Sequence, residues 1–349
     1  MDDRLSFLRQ EARASLPIPC SFQHKAPGVE GEVELMYWPA KSKGNAAPEQ
    51  LTFFILGNPG LLGYYPPFLS HLHSLLPPTH ALLATSHIGQ STTVASPKEP
   101  LDLPAHLESK VELVTYLRRY LDAWAQESGQ QNRPKLAMMG HSVGSWLSCE
   151  VMKRLNTDKE DVVDVLYMLF PTLGWIANSW NGWKLWPVFH HPFKPLLPVL
   201  APLLRPILHL TSLPTTSVSL VSTPSIIRHV LHLAASEMKL IQEPDLNWFR
   251  AQRVDDTKKG LYGVWASGNT DGWVGKDGPL VQECLGGEDG GRVKLLDGVP
   301  HAYCLTQEHS ELVAQVVASW IIPEGSSKAV PSSTDTPSEP PTGADIIPM

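Results

Sequence analysis

Gly140-His141-Ser142-Val143-Gly144 constrains this chain more than any other stretch. It follows Lys135-Leu136-Ala137-Met138-Met139, an apolar run that reads as a buried strand. It precedes Ser145 to Leu155, where Trp146, Leu147, Val151 and Leu155 are spaced for one helix face. Strand, sharp turn and helix are the setting in which G-x-S-x-G forms a nucleophile elbow. A serine held there in a strained backbone needs neighbours without side chains, and the turn lifts its hydroxyl above the sheet edge. A glycine-lined turn around an inert serine has the same local pattern, so partners for Ser142 must be sought elsewhere in the chain.

Apolar runs at Val33 to Trp38, Leu51 to Leu56 and Ala81 to Ala84 read as strands; so do Val162 to Phe170, Leu261 to Ala266 and Arg292 to Leu296. Between them, Leu107, Val111, Val114, Leu117, Leu121 and Trp124 recur at three- and four-residue steps and predict a long amphipathic helix. Ser225 to about Gln242 predicts another, with Ile226, Val230, Leu233 and Ile241 on its apolar side, and Leu312 to Trp320 a closing one. This alternation predicts an α/β fold with a mostly parallel sheet covered by helices on both faces. At 349 residues the chain can bury a full core.

Two segments break the rhythm. Residues 172–245 hold Trp175, Trp180, Trp183 and Trp186, then Phe189-His190-His191 and Pro195-Leu196-Leu197-Pro198, and are expected to form an inserted cap on a domain spanning 1–322. Residues 323–349, rich in Ser, Thr, Pro and acidic side chains, are expected to be a disordered tail. The apolar passage from Pro195 to Val221 is broken by Arg205, His209 and several prolines, so it suits an interface better than a membrane span. A formal net charge of -7 without a basic run argues against nucleic acid as a partner. Cys20, Cys149, Cys284 and Cys304 show no metal-ligand or C-x-x-C spacing, which points to a reduced, cytosolic setting. The acidic start Met1-Asp2-Asp3-Arg4 lacks the apolar core of a secretion signal.

A serine hydroxyl is a weak nucleophile and needs a base, with an acid to orient that base. Downstream of an elbow they follow in the order acid, then histidine, on loops after late strands. Asp271, in Ser267-Gly268-Asn269-Thr270-Asp271-Gly272, fits the acid, ahead of Asp277, Asp255 and Asp256. His301, in Gly298-Val299-Pro300-His301-Ala302, fits the base. His141 is expected to pack or bond near the site rather than act as base. Developing charge on an oxyanion needs preorganised N–H donors. Val143 supplies one, and the loop Gly57-Asn58-Pro59-Gly60 the other; Pro59 has no N–H, so Asn58 is preferred, with Gly60 in reserve.

Gly57 to Tyr65, Gly140 to Ser145, Leu169-Phe170-Pro171-Thr172, Thr270-Asp271-Gly272-Trp273 and Pro300-His301-Ala302 together resemble the lipid droplet-associated hydrolases, from about Phe53 to Trp320. The resemblance implies an α/β-hydrolase fold, a Ser142-Asp271-His301 triad, and attachment to lipid droplets and the endoplasmic reticulum from the cytosolic side without a transmembrane helix. It implies esterase or lipase activity on neutral lipid, with sterol esters or acylglycerols as substrates and no metal or organic cofactor. The tail and the detail of the cap depart from the family pattern. Two alternatives stay open: a soluble carboxylesterase or thioesterase of the same fold, and a droplet-surface organiser with a nearly idle triad.

Overall fold

The computed structural model describes residues 3–10, 15–42, 44–157, 160–208, 213–252 and 260–322; the expected tail at 323–349 lies outside them. The chain opens with β1 (Ile18–His24), β2 (Gly31–Trp38) and β3 (Gln50–Ile55), followed by α1 (Pro66–Leu75), β4 (His80–Thr85) and α2 (Leu103–Glu127). Then come β5 (Lys135–His141), α3 (Val143–Leu155) and β6 (Val165–Leu169). Among the described residues, six α-helices follow before the next strand: α4 (Trp180–Leu185), α5 (Phe193–Leu200), α6 (Arg205–Leu208), α7 (Thr215–Ser222), α8 (Pro224–Leu240) and α9 (Leu246–Ala251). The chain closes with β7 (Gly260–Ala266), α10 (Asp277–Cys284), β8 (Val293–Leu296) and α11 (Gln307–Ile321).

The eight strands of the described residues form one sheet in the order β1-β2-β4-β3-β5-β6-β7-β8. β1 with β2 and β2 with β4 are antiparallel, and every pairing from β4 through β8 is parallel. Parallel strands covered on both faces read as continuous apolar runs, because successive side chains point to opposite sides and both sides are dry. Leu51, Phe53, Leu136 and Met138 join the core under α2 and α3, while Phe54, Ala137 and Met139 join the core under α1 and α11. Asp102 caps α2 by accepting the Ala105 N–H at 3.0 Å, and Thr306 caps α11 by accepting the His309 N–H at 3.3 Å.

β1, α1, α9 and α10 have no counterpart among the sequence assignments. β1 is an edge strand carrying Pro19, and its mixed polar composition gives little periodic signal. α1 starts with two prolines, where the missing N–H groups do no harm, and buries Phe68, Leu69 and Leu72. The described residues between β6 and β7 fold into helices that stand over the carboxyl ends of the strands. Among the described residues, ten of the fifteen exposed large apolar side chains lie between Trp180 and Leu213, so the apolar surface they form is concentrated in this cap. Among the described residues no helix is long and apolar enough to cross a membrane.

Candidate active site

Ser142 sits between β5 and α3 with φ 55° and ψ −125°, a left-handed conformation costing about 1–3 kcal/mol for a residue with a side chain. Packing on both sides enforces it. A Cβ on Gly140 would lie 2.4 Å from the Gly144 carbonyl oxygen, and one on Gly144 would lie 2.2 Å from that of Ile55. Both obstacles are backbone atoms that cannot rotate away. We therefore expect Gly144→Ala to destabilise the fold by about 3 kcal/mol or more, read as a lowered thermal midpoint. An unchanged midpoint would show that the elbow is looser than its contacts imply.

The structure brings the three residues expected around the elbow together. His301 Nε2 is 2.9 Å from Ser142 Oγ, and His301 Nδ1 is 2.6 Å from Asp271 Oδ2. The Asp271 side chain is only 3% exposed, and its other oxygen accepts the Trp273 N–H at 2.9 Å. A neutral histidine that donates from Nδ1 to the carboxylate presents a bare Nε2 to the serine, which is the tautomer a general base requires. Ser142, Asp271 and His301 follow β5, β7 and β8, so all three stand at the carboxyl edge of the parallel part of the sheet. Asp277, the rival acid, is elsewhere: fully buried, it accepts the N–H groups of Gly275 at 2.9 Å and Leu173 at 3.2 Å. Asp255 and Asp256 lie outside the described residues.

The loop after β3, where an oxyanion donor was expected, is equally constrained. The Gly60 N–H is taken by the Gln90 side-chain oxygen at 2.6 Å, which removes the reserve donor. The backbone N–H groups of Asn58 and Val143 make no hydrogen bond among the described residues, and Val143 opens α3 with its N–H at the positive end of the helix. His87 braces the loop by donating from Nε2 to the Leu56 carbonyl at 3.0 Å. Asn58 is also held through its side chain, whose amide donates to the Val230 carbonyl at 3.1 Å and to Glu237 Oε1 at 2.9 Å.

His141 takes no part in the Ser142–His301–Asp271 chain and instead supports it. Its Nε2–H donates to the His301 carbonyl at 2.9 Å, so its Nδ1 must accept from the Tyr65 hydroxyl at 2.8 Å. Burial, followed by the neighbouring His301, holds the His141 pKa well below the ordinary histidine value, in keeping with a neutral ring. Tyr65 and His141 thus tie the backbone of His301 to the loop after β3, since the Tyr65 hydroxyl also receives the Gly57 N–H at 3.4 Å.

Ser142 opens into a cavity of about 370 Å³ bounded by Tyr64, Ile176, Phe189, Val230, Ala234 and Met238, with Glu237 among its walls. Glu237 is the group that the sequence reading missed. Its signal was present, because Glu237 is four residues beyond Leu233 and four before Ile241, on the apolar stripe of α8. Burial raises its pKa from 4.5 to about 7, against the hydrogen bond from Asn58, which lowers it. A raised acid binds more protons folded than unfolded, so stability falls as pH climbs through the window between about 4.5 and 7. Glu237→Gln keeps an acceptor for Asn58 and removes the charge. It should therefore abolish this pH dependence and stabilise the protein at pH 8 by about 2–3 kcal/mol, measured by denaturant titration at pH 5 and pH 8. Equal stability of the two proteins at both pH values would refute the assignment.

An eight-stranded, mostly parallel sheet with a strained serine, and an acid and a histidine on later loops, defines an α/β-hydrolase. Solved structures share this fold at low identity. A haloalkane dehalogenase loop variant from Bradyrhizobium elkanii superposes with a TM-score of 0.55 at 12% identity, over 87% of this chain and 96% of that one. A soluble variant of the monoglyceride lipase from Saccharomyces cerevisiae gives 0.53 at 13%, over 89% and 97%. The chain belongs to the lipid-droplet associated hydrolase family, whose model matches residues 48–304. The lipid droplet-associated hydrolase of Mus musculus is 29% identical over 308 residues, 78% of this chain and 85% of that protein. That of Drosophila melanogaster is 25% identical over 305 residues, 78% and 89% respectively.

Proposed function

We propose that this protein cleaves carboxylic esters of neutral lipids at the droplet surface as a serine hydrolase, with Ser142 as nucleophile, His301 as base and Asp271 as its orienting acid. One observation carries this reading above the others: the unbroken chain Ser142 Oγ–His301–Asp271, at 2.9 and 2.6 Å, stands at the floor of a mostly apolar cavity. His301 Nε2 takes the Ser142 proton as Oγ adds to the ester carbonyl. The N–H groups of Asn58 and Val143 stabilise the oxyanion, and His301 returns the proton to the departing alcohol. An acyl group is left on Ser142. Water, deprotonated by His301, then releases the fatty acid.

The membership of the droplet family supports the location, and the exposed Trp180, Trp183 and Phe193 of the cap, at 66%, 69% and 53%, support a surface that meets lipid. Sterol esters and acylglycerols are the substrates proposed, acting from the cytosolic face of droplets and the endoplasmic reticulum. Labelling with a fluorophosphonate probe tests the chemistry, because it reports an activated serine without presupposing a substrate. Strong labelling lost in Ser142→Ala, Asp271→Asn and His301→Ala is the expected result. A wild-type protein that stays unlabelled even with lipid or detergent present would replace the hydrolase reading with that of a droplet-surface organiser.

A further inference from the structure

The cap carries a second cavity, of about 830 Å³ and partly open to solvent, between α5 and α8. Its walls combine two chemistries. Trp186, Phe189, Leu231 and Met238 supply apolar surface, while Lys194, Arg228, His232 and Lys239 supply basic groups. The carboxylate on the wall, Glu99, is already bound by the Arg228 guanidinium at 2.7 Å. Lys194 comes from the opposite helix, and burial pulls its ammonium below the usual lysine range. Burial and then Lys194 and Arg228 also lower His232, against opposing pulls from Asp102 and Glu99, so these basic groups share one neighbourhood. Lys194 and His232 are half-buried and Arg228 and Lys239 exposed, and an anion brought among these basic groups is attracted to them.

The apolar walls select what kind of anion. A small inorganic ion would leave them wetted, whereas an anion carrying an alkyl chain covers them and gains the burial of that chain. Phe189 and Met238 line both this cavity and the catalytic one, so two flexible or rotatable side chains separate the two spaces. The α5 helix faces two ways. Lys194, Pro195 and Pro198 line the cavity, and Phe193, Leu196, Val199 and Leu200 are exposed on the outside.

We propose that the cap cavity binds an anionic amphiphile with a single acyl chain, its carboxylate or phosphate head against Lys194, His232 and Lys239 and its chain along Phe189 and Met238. Two sources share this chemistry: the fatty acid released at Ser142, and a lysophospholipid drawn from the surrounding monolayer. Binding at this place does not require that Ser142 react.

The test uses full-length Ser142→Ala protein, so that no turnover can intervene, titrated calorimetrically with oleate, oleoyl lysophosphatidate and oleyl alcohol below their aggregation limits. At least one anion should bind saturably at one per chain and about tenfold or more tighter than the alcohol. Adding Lys194→Glu should weaken the anions about tenfold and leave the alcohol unaffected, and Lys194→Arg should restore binding. Preference for oleate assigns the site to released fatty acid, and preference for lysophosphatidate assigns it to surface phospholipid. Thermal unfolding establishes that the variants are folded; if Lys194→Glu is not, the milder Lys194→Gln and His232→Gln carry the comparison. Anions that bind no tighter than the alcohol, or charge variants without effect, overturn the proposal.

Discussion

Replacing Ser142 with alanine should lower hydrolysis of a fluorogenic acyl ester about 10⁶-fold, and Asp271→Asn about 10⁴-fold. The two losses have different physical origins. Alanine leaves no oxygen to form the acyl-enzyme, and only the oxyanion donors and binding remain. Asparagine preserves shape at a carboxylate that is 3% exposed and hydrogen-bonded to His301 at 2.6 Å, but it can present its amide N–H to His301 Nδ1. The ring then keeps its proton on Nε2 and points it at Ser142, where a bare nitrogen is needed. The change should fall on kcat with little effect on KM, because neither atom is required to hold the ground-state ester. Steady-state kinetics on both variants, with matched thermal unfolding curves, decide the matter. Activity within tenfold of wild type in Ser142→Ala would remove the nucleophile from its role.

Converting Trp180, Trp183, Phe193 and Leu203 to serine together should weaken binding to triolein droplets coated with phospholipid by about 100- to 1000-fold. The four side chains are 66%, 69%, 53% and 71% exposed, so removing them costs the fold little. A fully buried side chain of this size is worth about 1.5–3 kcal/mol, and partial insertion into a monolayer yields about 1 kcal/mol each. Four such contributions sum to roughly the stated change in partition. Flotation of the purified protein with droplets measures it. The same variant should keep its fluorophosphonate labelling, which separates lost attachment from lost folding. A variant that floats like wild type would place the lipid-contacting surface elsewhere.

Much of the frame was legible in the sequence. The central strands were found because side chains buried on both faces leave an uninterrupted apolar run, and the long helix α2 because its three- and four-residue steps are kept over about five turns, from Leu107 to Trp124. The edge strand β1 was not found, since a strand paired on one side, with Pro19 within it, carries neither pattern. Helix α1 hid behind its opening prolines, although Phe68, Leu69 and Leu72 were correctly spaced. Asp271 and His301 were distinguished from rivals by loop order alone; in the structure His301 lies between Ser142 and Asp271, within hydrogen-bond distance of each.

What the sequence determined by itself was local: the glycine-framed elbow at Ser142, the strand-to-loop positions of Asp271 and His301, and the absence of an N–H at Pro59. Each follows from steric or covalent facts within a few residues. Only the tertiary structure could decide which distant groups support them. Tyr65 and His141 are 76 residues apart, His141 and His301 160, and Asn58 and Glu237 179. Glu237 reads locally as a misplaced charge on an apolar stripe, yet it anchors the Asn58 side chain because α8 is folded back over the carboxyl edge of the sheet. The basic cap cavity likewise exists only once α5 and α8 face one another. Hydrogen bonds and burial depend on which surfaces meet, and that is settled by packing of the whole chain rather than by any stretch of it.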